Sequence, residues 1–535
     1  MLYKSWGKSP LRLLLLIALL ACSFSFCSCE ETIFTPEDFG GVPNVPSREA
    51  AEKNSEAIQK ALYAASEAED KGDGGLGVVL IPAGHTYDFF RSAAEGIRNV
   101  ELRVEGLLRV FNDIQNPVWR GGNGCLEIKD SANLRITGNG TVDGQGFDFW
   151  WHVILTGDDY RPNLFHIHNV TNIHIEGLTL RNSPRYHIEI MAFGATIRKI
   201  KIDVDITKQK AMQKKAAAAA AAREFDVKGR RGVKPSWLEK WITRIGLPTF
   251  PLNTDGIDPY GRDFLIEDCE ITCFDDAVAV KPTGLNSWTG CTENIMVRNT
   301  KVVYGVGMTI GSVPPNENDH CIRNVTFENI TFDSPFKAIY IKSNPGSSGT
   351  GIVEDITYRN IDVKNSVWMP IWIGPQQQRQ PHTEGTGCSF LFPFAKKCPA
   401  QPLVSVKRVT LENIRLRGSW LLPGVLLADK NAPWEDVVFR NVSHEGALWG
   451  GKFGLRQTYY CDSVGGRMEG SSPGVGGSAC PDMVSVPLLE EEGGEEEGGY
   501  VDEGTVSHLE DVFEEEGEEE SGGEEDANWP SELVA

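Results

Sequence analysis

Val325-Thr326-Phe327-Glu328-Asn329 is one copy of a five-residue pattern that returns as Ile295–Asn299, Ile356–Asn360, Val409–Asn413 and Val437–Asn441. The pattern is apolar, any, apolar, polar, Asn. Successive asparagines lie 30, 31, 53 and 28 residues apart, and the long interval holds a Cys-containing loop. Leu265 to Cys269 and Ile173 to Gly177 fit the same frame without the asparagine. Alternation with period two puts the apolar side chains on one face of each short strand. Asparagine suits the bend that follows, because it tolerates left-handed backbone and bonds its own chain locally. Strands recurring at this period form a solenoid, whose units bury their inner faces only by stacking. An antiparallel sandwich would space its strands by about 8–12 residues instead. The expected fold is therefore all-β, a parallel β-helix.

Upstream, Ala57, Ile58, Ala61, Leu62 and Ala65 stand at helical spacing, predicting an amphipathic helix over Glu49 to Ala68. The strand from Val78 follows, so the helix is placed to plug an open solenoid end that would otherwise bare strand edges and core. Lys4, Lys8 and Arg12, the apolar run Leu13 to Leu20, and small residues and cysteines to Cys29 read as a secretory signal peptide, 1–29. That run is short for a membrane span. The expectation is a secreted, extracellular protein, with no membrane association after signal cleavage.

Cysteine usage agrees with export. Past the signal, Cys388/Cys398 and Cys461/Cys480 read as local loop bridges, and Cys291/Cys321 lie one repeat apart. The nine cysteines past the signal, an odd number, leave at least one thiol free or intermolecular. Sequons at Asn139, Asn169, Asn324, Asn329 and Asn441 suit a glycoprotein. The net charge of −22 misleads as a global property. Twenty acidic residues and no Lys or Arg lie from Glu490 onward, so only −2 belongs to the rest. The domain reading is a β-helix over 30–480, a basic Ala-rich insertion at 207–250 and an acidic tail at 481–535 that cannot form a core. An exported chain makes nucleic acid an unsuitable partner for the basic run, and a capped β-helix has no need to self-associate, so a monomer is expected.

Three aspartates carry the chemistry. Asp255, in Asn253-Thr254-Asp255-Gly256, stands twenty residues before the adjacent pair Asp275-Asp276. A step of that size moves the chain roughly one coil, bringing three carboxylates to one face. Glycosidic cleavage needs one carboxyl to protonate the leaving oxygen and another to activate water or attack the sugar. No cofactor and no metal are required.

With the helix cap and the Ile81-Pro82-Ala83-Gly84 strand, Asn253-Thr254-Asp255-Gly256-Ile257-Asp258 and Asp275-Asp276 resemble two motifs of glycoside hydrolase family 28, the polygalacturonases. The likeness covers roughly residues 33–460. It implies a right-handed β-helix and inverting hydrolysis of α-linked galacturonan, with pectic polysaccharide as the substrate. By motif position Asp275 would be the general acid, with Asp255 and Asp276 holding and activating water.

The chain departs from that family twice. Its Gly-His-Gly motif reads Gly305-Val306-Gly307 here, and its Arg-Ile-Lys motif reads Tyr340-Ile341-Lys342. The arginine normally helps hold a galacturonate carboxylate, and a tyrosine offers no bidentate cationic fork. Lys342, Tyr340, Asn253 and His187 are the expected substrate-binding residues. Loss of the histidine resembles the rhamnogalacturonase branch, so rhamnogalacturonan or xylogalacturonan is the alternative substrate. A calcium-dependent lyase on the same fold and a catalytically silent polysaccharide-binding protein are the other readings.

Overall fold

The structure, a computed structural model, describes residues 32–487 except 69–74, 122, 207–252, 347, 378–386, 390–391, 396, 450–451, 453–457 and 473–479. The expected signal peptide, the whole basic insertion and the tail beyond 487 lie outside the described residues.

The repeats stack as expected. Ile295, Val325, Ile356, Val409 and Val437 pair in parallel register from one coil to the next. Gly307–Val313 shows the plan of a coil. It lies in one sheet, and the long strand His320–Asp333 after it bends at Asn324 and Asn329, both left-handed, to enter further sheets. The repeat asparagines 299, 329, 360, 413 and 441 all have φ between 50 and 55°. They also bond one another. The amides of Asn329, Asn360, Asn413 and Asn441 each donate to Oδ1 of the asparagine one coil earlier, at 3.3, 3.3, 3.2 and 2.8 Å. One residue type thus supplies both the corner conformation and a ladder between coils.

Inside, Phe327 stacks on Tyr358 at 4.7 Å between ring centroids, and Val297, Val325, Ile356 and Leu411 are fully buried. Burying side chains of this size contributes about 1.5–3 kcal/mol each. The 53-residue interval closes to a single coil, because the residues between include a loop carrying the Cys388–Cys398 disulfide. Cys291–Cys321 and Cys461–Cys480 are also bonded, while Cys125, Cys269 and Cys273 are buried free thiols.

Helix α1, Arg48–Glu67, is capped by Ser47, whose hydroxyl accepts from the Ala50 N–H, and it packs its alanine-rich face on the first strands. Helix α2, Phe147–Thr156, was not expected. Its sequence is apolar and aromatic almost throughout, so it lacks the one-sided stripe that separates a helix from a buried strand. Ile188–Arg198 pairs with Ile257–Glu267, so the insertion falls between two adjacent coils. Met483–Val486 pairs with Gly466–Glu469, carrying the solenoid a few residues past the expected boundary at 480. Among the described residues no helix is long and apolar enough to cross a membrane.

Candidate active site

One sheet carries the site. It stacks Ile188–Arg198, Ile257–Glu267, Asp276–Val280, Gly307–Val313, Ile339–Ser343 and Ile371–Pro375 in parallel. Asp255 lies in the turn entering this sheet. The two-residue turn Phe274-Asp275 leaves Glu270–Cys273 and delivers Asp276 as the first residue of the next strand. One carboxylate oxygen from each of Asp255, Asp275 and Asp276 lies within 4.8 Å of the others. All three residues are at most 5 % exposed.

Their surroundings separate them. Lys342 Nζ lies 2.6 Å from Asp276 Oδ2, and the Thr309 hydroxyl donates to Oδ1 at 2.6 Å. Burial pushes Asp276 up, but Lys342, Lys281 and these two bonds outweigh it and hold the carboxyl below its ordinary range. Asp275 goes the other way. Burial and then the charge of Asp276 raise it, against the pull of Lys342 and of the Asn253 N–H. That N–H donates to Asp275 Oδ2 at 3.0 Å, and the Asp276 N–H donates to Oδ1 at 3.0 Å. Asp255 is raised well above its ordinary value by burial, then by Asp258 and Asp275. Its Oδ1 is buried without a hydrogen-bond partner among the described residues.

Two further residues belong to the cluster. Lys281 Nζ lies 3.5 Å from Asp255 Oδ2 and 3.3 Å from Asp258 Oδ2. Asp258 is fully buried, and burial raises it to about 7 despite Lys281. Four buried carboxyls thus share two lysines. Burying an unpaired charge is costly, so the cluster approaches neutrality by keeping protons on part of its acids. Lys281 and Lys342 also supply the positive charge that a cation among the three carboxylates would bring.

Sequence reasoning missed Asp258 and Lys281 as site residues. Asp258 was visible inside the quoted motif. Lys281 was hidden by parity, because five residues from Asp276 reads as the opposite strand face. A register shift between Asp276 and Val278 flips the alternation and turns Lys281 to the carboxylates.

The expected binding residues divide. Asn253 sits beside Asp275 and accepts from the Arg161 guanidinium at 2.8 Å. Lys342 is in the cluster, tied to Asp276. Tyr340 is 4 % exposed, and its hydroxyl accepts from the Gln377 N–H at 3.2 Å. His187 is corrected. It is fully buried and offers no surface to a sugar. The Ser183 N–H donates to its Nε2 at 3.3 Å, so Nδ1 carries the hydrogen and donates to the Asp255 carbonyl at 2.9 Å. Burial lowers its pKa to about 4, so the ring is neutral and holds the Asp255 turn in place. Val306 fills the histidine position of the motif with a buried side chain that packs in an apolar cluster with Tyr340, Met369 and Trp372.

A cavity of about 540 Å³ opens beside the cluster, lined in part by Arg161, Arg185, Tyr186, Glu189 and Tyr260. Arg161 links it to Asn253 and so to Asp275.

The family model described as Glycosyl hydrolases family 28 matches residues 73–452. The chain is 26 % identical over 315 residues to the "Probable endo-xylogalacturonan hydrolase A" of Aspergillus oryzae, covering 57 % of this chain and 64 % of that protein. It therefore spans just under two thirds of the length of that relative. It is 25 % identical over 389 residues to the "Probable exopolygalacturonase B" of Emericella nidulans, covering 69 % and 74 %. The Yersinia enterocolitica family 28 exopolygalacturonase structure superposes with a TM-score of 0.54 at 14 % identity, over 86 % of this chain and 78 % of that one.

Proposed function

The chain belongs to glycosyl hydrolases family 28, and from that premise we propose that it hydrolyses α-glycosidic bonds in the galacturonan backbone of pectin. The observation that carries the reading is the split within the buried carboxylates: Asp276 is held ionised by Lys342 while Asp275 is pushed toward its protonated form. Groups whose environments drive their pKa values apart mark an acid and its ionised partner. Asp275 protonates the leaving oxygen. Asp276 takes the proton of the attacking water, and the unpartnered Oδ1 of Asp255 holds that water.

The inverting outcome rests on the family and not on the separation. Inversion calls for carboxyls about 6.5–9.5 Å apart, whereas the nearest oxygens here lie within 4.8 Å. Xylogalacturonan is a second reading, supported by the cavity beside Asn253, which offers room for a substituent on the backbone. The protein is proposed to act outside the cell, the location expected from the signal-peptide pattern read in residues 1–29. Reducing-end release from polygalacturonan, xylogalacturonan and rhamnogalacturonan, each compared with Asp275→Asn, tests the proposal. Cleavage abolished in the variant supports it. No release from any of the three by folded protein sinks it.

A further inference from the structure

Lys337 lies where no motif would look for it. Asp276 pairs with Gly307, and Met308 pairs with Ile339. Backbone bonds carry the stack past these strand ends, from Val306 to Asp275 and from Phe336 to Gly305, and so set Lys337 two coils along from Asp275. The Val306 N–H donates to the Asp275 carbonyl at 2.8 Å, and the Phe336 N–H donates to the Gly305 carbonyl at 2.8 Å. Lys337 is 3 % exposed, yet its ammonium has neither an ion pair nor a hydrogen bond among the described residues. Aromatic rings surround it instead. Nζ lies 4.8 Å from the Phe336 centroid, 4.6 Å from Tyr340 and 5.4 Å from Trp372.

Such a cage stabilises a cation through the ring faces while leaving its hydrogen-bond donors unspent. The tyrosine that replaces the motif arginine is one wall of it. The same ring lies 5.1 Å from Lys342 Nζ, but that lysine is already committed to Asp276. One site cation is therefore bound to the catalytic carboxylates, and another is held ready beside them.

We propose that Lys337, presented by Phe336, Tyr340 and Trp372, is the specificity-determining cation that receives a uronate carboxylate of the substrate next to Asp275, in place of the missing arginine. This rests on the pectic hydrolase reading above. A purely structural lysine would explain the cage but not the unspent donors. Three apolar rings would pack as well around a methionine, without the desolvation cost of an ammonium.

The test compares de-esterified and methyl-esterified polygalacturonan and xylogalacturonan, since methylation removes the substrate's charge and leaves its shape nearly unchanged. In Lys337→Met, kcat/KM on the de-esterified polymer should fall about 10- to 100-fold, the scale of a charge-assisted hydrogen bond. On the esterified polymer it should change less than about 3-fold, and Lys337→Arg should retain the wild-type preference. A folded Lys337→Met that keeps the wild-type ratio between the two polymers overturns the inference.

A second measurement needs no variant. Burial and Lys342 lower Lys337 to about 7, against the raising effect of Asp276 and Asp275, the other charges that act on it. KM for the de-esterified polymer should therefore rise as pH passes upward through about 7, while KM for the esterified polymer does not follow. Parallel KM curves would remove Lys337 from carboxylate recognition even if the methionine variant failed to fold. If neither polymer is cleaved by the wild type, the hydrolase reading falls and this inference falls with it. Cleavage with an unchanged preference defeats the inference alone.

Discussion

Lys342 Nζ and Asp276 Oδ2 stand 2.6 Å apart although 66 residues separate them in the chain. Two turns of the solenoid bring the ammonium over the carboxylate, and neither group is more than 7 % exposed. Breaking such a pair from one side leaves a buried charge without compensation. Lys342→Met should lower stability by about 3–5 kcal/mol, read from chemical denaturation at neutral pH. Asp276 is held low in the folded protein. Its stabilising contribution is thus present above the unfolded carboxyl value of about 3.9 and is lost as pH falls through the folded one. In the variant that contribution disappears, so the wild type and Lys342→Met should converge in stability toward low pH.

The same pair sets one side of the pH–rate profile. On the proposed roles, activity requires Asp276 ionised and Asp275 protonated. It should rise with pH as Asp276 loses its proton and fall as Asp275, which is raised, loses its own. Lys342→Met lets burial act on Asp276 with less opposition, so the acidic limb should move to higher pH and narrow the active window. Initial rates on a soluble pectic polymer across pH would show this. A variant whose acidic limb stays in place would remove Asp276 from the role of ionised partner.

Asp275→Asn keeps the shape of the acid and removes its proton-donating function, while its single oxygen can keep only one of the two N–H contacts, from Asn253 or from Asp276. The expected loss in kcat is about 10²- to 10⁴-fold, beyond what the modest fall in melting temperature from one lost bond would explain. A loss that instead tracks a fall in melting temperature would mean that the residue supports the turn and not the chemistry.

Val306 invites a restoration that should fail. Its side chain packs in an apolar cluster with Tyr340, Met369 and Trp372. An imidazole there would lose solvent and needs a partner, at a cost of about 1–3 kcal/mol for each polar atom left unpaired. Val306→His should therefore melt earlier and gain no activity. A faster enzyme would show that the site still accepts the motif histidine and that the cluster around Tyr340 is permissive.

The solenoid was legible because its repeat is written in side-chain alternation and a corner residue, both local properties. Asp255, Asp275 and Asp276 were legible as a motif and as a one-coil step. What escaped was non-local or irregular. Lys281 was concealed by a bulge that reverses strand parity. His187 looked free to meet a sugar, because a sequence does not show that the Ser183 N–H and the Asp255 carbonyl occupy both ring nitrogens. Lys337 carries no motif at all, and the rings around it come from two stretches of chain, Phe336 with Tyr340 and Trp372.

The asparagine ladder separates two contributions that the repeat pattern alone leaves joined. Asn360 has φ of 55°. Its amide donates to Asn329 Oδ1 at 3.3 Å, and its own Oδ1 accepts from Asn413 at 3.2 Å. Alanine at this corner would incur about 1–2 kcal/mol for left-handed backbone and would also lose both bonds. Those bonds are exposed, so each contributes toward the lower end of about 0.5–1.5 kcal/mol. Glycine adopts the corner freely and loses only the bonds. Denaturation should therefore place Asn360→Ala about 2–3 kcal/mol below the wild type and Asn360→Gly about 1 kcal/mol below it. Equal losses in the two variants would mean that the ladder bonds, and not the corner conformation, are the reason asparagine ends the repeat. A glycine variant as stable as the wild type would mean the reverse.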